Sequence, residues 1–172
     1  MGRGCARQGP PLKGAFRIGY GFDAHRLVAG RGLVLGGVAI PSERGLEGHS
    51  DGDCVIHAVC DAVLGALAEG DMGRHFPSAD AAWKDADSAL FLAAVADMAV
   101  RAGYAVANLD VTVVAEAPRL APHVPGMRAN LARMLRVDAA GVSVKVKSTD
   151  GMGAIGRGEG IAAHSVVLLE RG

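Results

Sequence analysis

Five runs of strand-type residues share this chain with three helical patterns, and that mixture limits its fold more than any other feature. The strand-type runs cover 16–21, 33–40, 109–115, 142–147 and 162–170. One helix is predicted from Ser50 or Asp51 to about Ala68, ahead of Gly70. A second opens at Asp87 or Ser88, places Phe91, Ala94, Val95, Met98 and Ala102 at core-facing spacing, and stops at Gly103. The third follows Pro122 or Pro125 and ends near Arg136. Such a mixture gives an α/β or α+β class. With 172 residues, half of them hydrophobic, the chain can bury one sizeable core, so a single domain is expected over 16–172. Residues 1–15 are rich in Gly, Pro and Arg without hydrophobic periodicity, and read as a disordered N-terminal extension.

Charge and cysteine content narrow the partners. Eighteen basic residues balance eighteen acidic ones, which leaves no global attraction for nucleic acid or an anionic membrane. No apolar run approaches the roughly 20 residues that span a bilayer, and the N-terminus has no apolar signal core. A soluble, cytoplasmic protein is the default expectation. Cys5, Cys54 and Cys60 fit neither a disulfide framework nor a paired zinc motif and read as reduced thiols. The 25 glycines gather near 19–21, 30–37 and 151–160 rather than in the helices, as if backbones there approach something closely.

Two clusters carry metal-type chemistry. Asp23 and His25 lie two apart after a strand-type run, so on extended backbone they point the same way. Asp53, His57 and Asp61, spaced by four, would share a helix face behind His49 and Ser50. If strand end and helix start converge, Asp23, His25 and His57 supply one carboxylate and two imidazoles, a set that suits zinc with a fourth position open. Asp53 or Asp61 would then orient His57 from behind. Singly, each of these residues is as well explained by a helix cap, a solvated face or a structural histidine.

A third cluster follows the run at 142–147, where a glycine-rich turn presents Ser148, Thr149, Asp150 and Arg157. Hydroxyls, free N–H groups and an arginine suit a phosphate, and Asp150 suits Mg²⁺ held against it. A plain glycine-rich hairpin explains the segment equally well, and neither a Walker A nor a dinucleotide fingerprint is present. Residues 70–77 and 115–121 form two further loops.

In order along the chain stand RIGYGFDAHR at 17–26, GLEGHSDGDCVIHAVCDAVLGA at 45–66, and GDMG with FP between 70 and 77. DVTVVAEAPRL at 110–120 follows with His123, Pro125, Met127 and Arg128, and then GRGEGIA at 156–162. Together they resemble the 2-C-methyl-D-erythritol 2,4-cyclodiphosphate synthase family from Arg17 to Leu169. The resemblance implies a small sandwich of helices on a mixed β-sheet, assembled as a homotrimer with active sites between subunits. It also implies conversion of 4-diphosphocytidyl-2-C-methyl-D-erythritol 2-phosphate to the cyclic diphosphate and CMP, in the non-mevalonate route to isoprenoids. By the same resemblance Asp23, His25 and His57 are zinc ligands, the first two also meeting substrate, His49 stabilises the transition state, and Ser50 contacts substrate. Asp71, Met72, Gly73, Phe76, Pro77, Ser78, Ala79 and Asp80 line the methylerythritol and nucleotide site. Ala115, Glu116, Ala117, Pro118, Arg119, Leu120 and Ala121 wrap the cytosine. Lys147, Ser148, Thr149, Asp150, Ala154 and Arg157 close over the phosphates, with Ser148 catalytic and Asp150 on Mg²⁺ or Mn²⁺. Arg157 and Glu159 fall near the threefold axis, at the mouth of a cavity that would take an isoprenoid diphosphate.

The chain departs from the family pattern at Lys147, Ser148 and Asp150, where A-T-T-T-E is usual at 146–150. It departs again at Ala154, where an aromatic is usual, and at Ser78 and Ala79 in place of Asp-Thr. The implied chemistry brings a phosphate monoester onto a diphosphate in line, so positioning and charge neutralisation suffice without a protein nucleophile. Two other readings fit parts of the pattern. One is a zinc phosphoester hydrolase with Asp51 or Asp53 as base, the other a non-catalytic isoprenoid-binding trimer with a structural zinc.

Overall fold

Alternation along the first strand sets the architecture. The computed structural model describes residues 16–172; the expected extension at 1–15, with Cys5, lies outside the described residues. Strand β1 runs over Phe16–Ala29, well beyond the six residues expected. Its odd positions bring Gly19 and Gly21 against helix α1, Cys54–Leu67. A Cβ at Gly19 would lie 1.8 Å from the Ala62 carbonyl oxygen, and one at Gly21 would lie 1.9 Å from that of Ala58. Only glycine permits this approach. The even positions, Phe16, Ile18, Tyr20 and Phe22, point away from the helix and are exposed.

The remaining elements are β2 (Leu33–Leu35), β3 (Val38–Ile40), β4 (Arg44–Leu46), α2 (Met72–His75), α3 (Ser88–Arg101) and β5 (Tyr104–Val114), then α4 (Val124–Leu135), β6 (Val142–Lys147), α5 (Gly153–Gly156) and β7 (Gly160–Arg171). Five strands form one sheet in the order β4-β1-β7-β5-β6, in which only β5 and β6 run parallel. The sheet is therefore mixed, and the class is α/β. Leu109, Val111, Val113, Val144, Ala163, Val167 and Leu169 bury its inner face together with the apolar side of α1. Among the described residues no helix is long and apolar enough to cross a membrane.

Several expected boundaries move. The run at 33–40 is two short strands around Gly36 and Gly37, whose φ of +57° and +70° make the tight hairpin turn that the apolar pattern concealed. β4 was not anticipated. α1 begins at Cys54 rather than near Ser50, because Asp53 is its cap and accepts from the Val55 and Ile56 N–H groups. The buried stripe of α3 is Ser88, Phe91, Leu92, Val95, Ala96 and Ala99; Ala102 lies past the helix end, exposed. Cys54 and Cys60 are free thiols in the core, their ionisation pushed far up by burial.

Candidate active site

Beyond Gly21 the inner side of β1 carries Asp23 and then His25, while the first turn of α1 carries His57, so the close strand and helix deliver all three to one point. Asp23 Oδ2 lies 2.8 Å from His25 Nε2 and 2.9 Å from His57 Nδ1, and the two nitrogens are 3.3 Å apart. Among the described residues this is the group of three or more potential ligands whose donor atoms converge, all within 4.8 Å of one another. Asp23 and His25 sit within the strand rather than after it, and the alternation that aligns them is the same one that places Gly19 and Gly21.

His25 Nδ1 lies 2.5 Å from the Glu47 carbonyl oxygen. A carbonyl only accepts, so Nδ1 carries the proton and Nε2 of the neutral ring brings a lone pair toward Asp23 and His57. Burial alone would raise the Asp23 carboxyl, but the hydrogen bonds that His25 and His57 donate to it when those ring nitrogens carry a proton outweigh burial and hold Asp23 well below the usual carboxylate range. That hydrogen bond in turn raises the His25 imidazole above its ordinary value. A carboxylate faced by imidazole nitrogens, and drawing positive charge onto them, has the chemistry of a divalent-metal site.

The expected support for His57 is different in the structure. Asp53 does not share a face with it. Its carboxylate, fully buried, caps α1 and takes the Gly36 and Gly37 N–H groups at 2.9 and 2.7 Å, tying the β2–β3 turn to the helix. Burial pushes its carboxyl up to about 6, against the pull of the N–H groups. Asp61 accepts from the Met72 N–H at 2.8 Å and so anchors α2. His57 Nε2 instead meets Ser88 Oγ at 2.9 Å and Ser50 Oγ at 3.2 Å. With Asp53 saturated and Asp51 bonded to Ser88, neither carboxylate stands ready as the base that a hydrolase would need.

A cavity of about 190 Å³ opens beside the cluster, lined by His25, His49, Ser50, His57, Met72, Phe76, Ser78, Trp83 and Phe91. The chain has only seven aromatic residues. Three of them, Phe76, Trp83 and Phe91, pack together here with ring centroids 4.9 to 5.5 Å apart, Trp83 meeting both phenylalanines edge to face. Trp83 and the wall it forms were missed in the sequence, where lone aromatics in loops carry no periodic signal. His49 Nε2 is 3.4 Å from the Asp80 carbonyl oxygen, and Asp71 and Asp80 cap short helical turns. Gly73 lies in α2, and Pro77 and Ala79 are exposed in the loop beyond it.

The other predicted residues gather elsewhere. Lys147 ends β6, its carbonyl taking the Ala115 N–H at 2.9 Å, and Gly151 N lies 3.5 Å from Glu116 Oε2. This second group is at the same end of the sheet as the metal cluster, but β6 is three strands from β1, roughly 14 Å by ordinary strand spacing. Ser148, Asp150 and Ala154 are exposed, and Ser148 Oγ donates to Asp150 Oδ1 at 3.0 Å. Thr149 Oγ1 donates to the Met152 carbonyl. Arg157 is bonded to Glu159 at 2.6 Å rather than standing free for a phosphate. Ala115 and Leu120 turn their side chains into the core, while Glu116, Ala117, Arg119 and Ala121 are exposed and Pro118 is half-buried.

Comparison with known proteins gives this geometry its context. Residues 16–170 match the YgbB family. Over 155 residues the chain is 58% identical to the 2-C-methyl-D-erythritol 2,4-cyclodiphosphate synthase of Geotalea uraniireducens, covering 90% of this chain and 99% of that one. The bifunctional IspDF of Campylobacter jejuni superposes with a TM-score of 0.90 at 37% identity, over 93% of this chain and 43% of its own. The CDP complex of IspF from Plasmodium falciparum gives 0.81 at 31% identity, over 91% and 96%.

Proposed function

The chain belongs to the YgbB family, and from that premise we propose that it converts 4-diphosphocytidyl-2-C-methyl-D-erythritol 2-phosphate to 2-C-methyl-D-erythritol 2,4-cyclodiphosphate with release of CMP. The observation that carries this reading is the convergence of Asp23, His25 and His57 at the mouth of an aromatic cavity, in a chain 58% identical to a synthase of that name. Residues 16–172 act as one catalytic domain.

Asp23, His25 and His57 hold zinc, and Asp150 holds Mg²⁺ or Mn²⁺; when bound, these ions supply positive charge and Lewis acidity to phosphoryl oxygens. The chain's own residues do the rest. The reaction joins two anionic groups of one substrate, so its main demand is for alignment. The wall of Phe76, Trp83 and Phe91 excludes water and takes the apolar side of the methylerythritol, while Ser50 and the loop from Asp71 to Asp80 orient its polar side. His49 and the Ser148 hydroxyl donate to oxygens that gain charge as the ring closes. To do so Ser148 turns from Asp150 to the phosphate. Ala115 to Ala121 present backbone groups to the cytosine of a cytidyl ligand, the class of ligand held by the CDP complex of the Plasmodium falciparum relative.

A homotrimer completes the site, with the turn at 148–157 supplied by one copy and the zinc cluster by its neighbour. Two observations support this. The two residue groups lie three strands apart within one chain. In addition Phe16, Ile18, Tyr20 and Phe22 on β1 are 61, 72, 59 and 49% exposed and, with Val166, form an apolar sheet face of the kind that marks an interface. Incubation with the cytidyl substrate followed by ³¹P NMR tests the reaction. Equimolar CMP and cyclic diphosphate are expected; a linear bisphosphate would make the protein a hydrolase.

A further inference from the structure

His57 can offer a lone pair to a metal at Nδ1 only if its proton sits on Nε2. For His25 the Glu47 carbonyl settles the same question, since a carbonyl can do nothing but accept. The Nε2 atom of His57 faces hydroxyls instead, and a hydroxyl facing an imidazole can donate or accept. The nearer one, Ser88 Oγ at 2.9 Å, belongs to a fully buried residue at the first turn of α3. Ser88 makes a second hydrogen bond that removes the ambiguity. Its hydroxyl donates to Asp51 Oδ1 in a short contact, and its backbone N–H donates to Asp51 Oδ2 at 3.0 Å. With its only proton committed to Asp51, Ser88 Oγ presents lone pairs to His57, which donates to it from Nε2 at 2.9 Å; Ser50 Oγ, farther at 3.2 Å, itself accepts from the Gly52 N–H.

We propose that Asp51 and Ser88 are positioning residues that fix the tautomer and ring plane of His57, so that Nδ1 arrives at the metal cluster as a ligand. The inference rests on the zinc reading above. It goes beyond that reading by assigning a role to two residues that touch neither zinc nor substrate in it. The backbone makes the relay rigid and links it to the substrate loop. Asp85 N–H donates to the His49 carbonyl at 2.8 Å and Asp51 N–H to that of Ala86 at 3.1 Å, so residues 49–51 and 85–88 are stitched together side by side. The stretch that presents His49 and Ser50 to the cavity thereby also sets His57, and a displacement of one disturbs the other.

Asp51→Asn is the informative variant because it keeps the shape and reverses the polarity. The amide oxygen still accepts the Ser88 N–H, but the amide NH₂ takes the place of Oδ1, donates to Ser88 Oγ and leaves the Asp53 N–H, which Oδ1 accepts at 3.1 Å in the native chain, without that acceptor. The hydroxyl is then free to donate to His57 Nε2 and drive the proton onto Nδ1, where it blocks the metal. The measurement is the zinc dissociation constant at fixed pH, by competition with a chromophoric chelator, beside the melting temperature of the metal-free protein. Expected is a loss of affinity of about 10- to 100-fold for Asp51→Asn and for Ser88→Ala, with metal-free Asp51→Asn melting only slightly below wild type, by the one acceptor that the Asp53 N–H loses. Wild-type affinity in Asp51→Asn overturns the proposal, and so does a loss of affinity matched by a large fall in metal-free melting temperature in both variants. A wild-type protein that takes up no zinc removes the zinc reading itself, and the relay with it.

Discussion

The metal cluster and the turn at 148–157 share one end of the sheet yet are built in opposite ways. Around the cluster, His25 is fixed by the Glu47 carbonyl, His57 by Ser88, and the close packing of β1 on α1 fixes the distance between them. In the turn, Ser148 bonds to Asp150, Thr149 to Met152 and Arg157 to Glu159, all local contacts between exposed groups. A site that must hold charged groups within a fraction of an ångström needs a layer of packing behind each of them. One chain provides that layer for the cluster and not for the turn, which is why the proposed assembly sets the turn against a neighbouring copy.

Removing one side of this contrast gives the largest expected effect. His57→Ala should abolish turnover and the proposed zinc uptake while leaving the proposed trimer intact, since alanine is a good helix former and the sheet face is untouched; metal analysis and light scattering on one preparation check it. Full zinc occupancy would mean the ligands are others. Ile18→Asp attacks the assembly instead. Ile18 is 72% exposed, so a charge there costs the isolated chain little, yet across an apolar interface it should give monomers with turnover down by about 10³-fold and zinc retained. Monomers with wild-type turnover would confine the active site to one chain.

Ser148→Ala should lower kcat by about 10²-fold, the usual worth of one donor to a developing oxyanion. If the hydroxyl only stabilises the turn, melting temperature falls and kcat stays, so both are measured on the same sample. The smallest effect is that of pH on the metal. Asp23 raises His25, so a proton competes for the zinc position from somewhat above pH 6.5 downward. Zinc affinity should fall about tenfold per pH unit below that value. In the metal-free protein the sign for His25 is the reverse: its stabilising contribution is complete below pH 6.5 and is lost as pH rises through the raised value. That of Asp23 is complete above pH 3.8 and is lost as pH falls toward its lowered value. Titrations of zinc affinity and melting temperature against pH check both signs.

What the sequence disclosed follows the same division. Asp23 and His25 were legible because strand alternation is a rule of two, insensitive to where the strand starts or stops. The partners of His57 were not, because a helix face depends on the start of the helix. Moving that start from Ser50 to Cys54 turned Asp53 from a neighbour of His57 into a buried cap. Asp51 and Ser88 read as ordinary capping residues of two helices, and only their meeting across 37 positions reveals the relay. The strand at 142–147 was readable from its pattern, which left α/β and α+β both open, and the mixed sheet came from the family resemblance, whereas β4 and the β2–β3 hairpin were too short to give a period. Trp83 entered the cavity from a loop that carries no pattern at all.

The claim that two copies share each active site is tested most directly by mixing inactive variants. His57→Ala lacks the zinc half and Ser148→Ala lacks the hydroxyl of the turn. Equal amounts, unfolded and refolded together, assemble at random into trimers, and over that whole population about a quarter of the sites combine an intact cluster from one copy with an intact turn from the next. The account predicts that the mixture recovers about a quarter of wild-type turnover, far above either variant refolded alone. A mixture no more active than the average of the two variants would contradict it, and would place the whole site within a single chain.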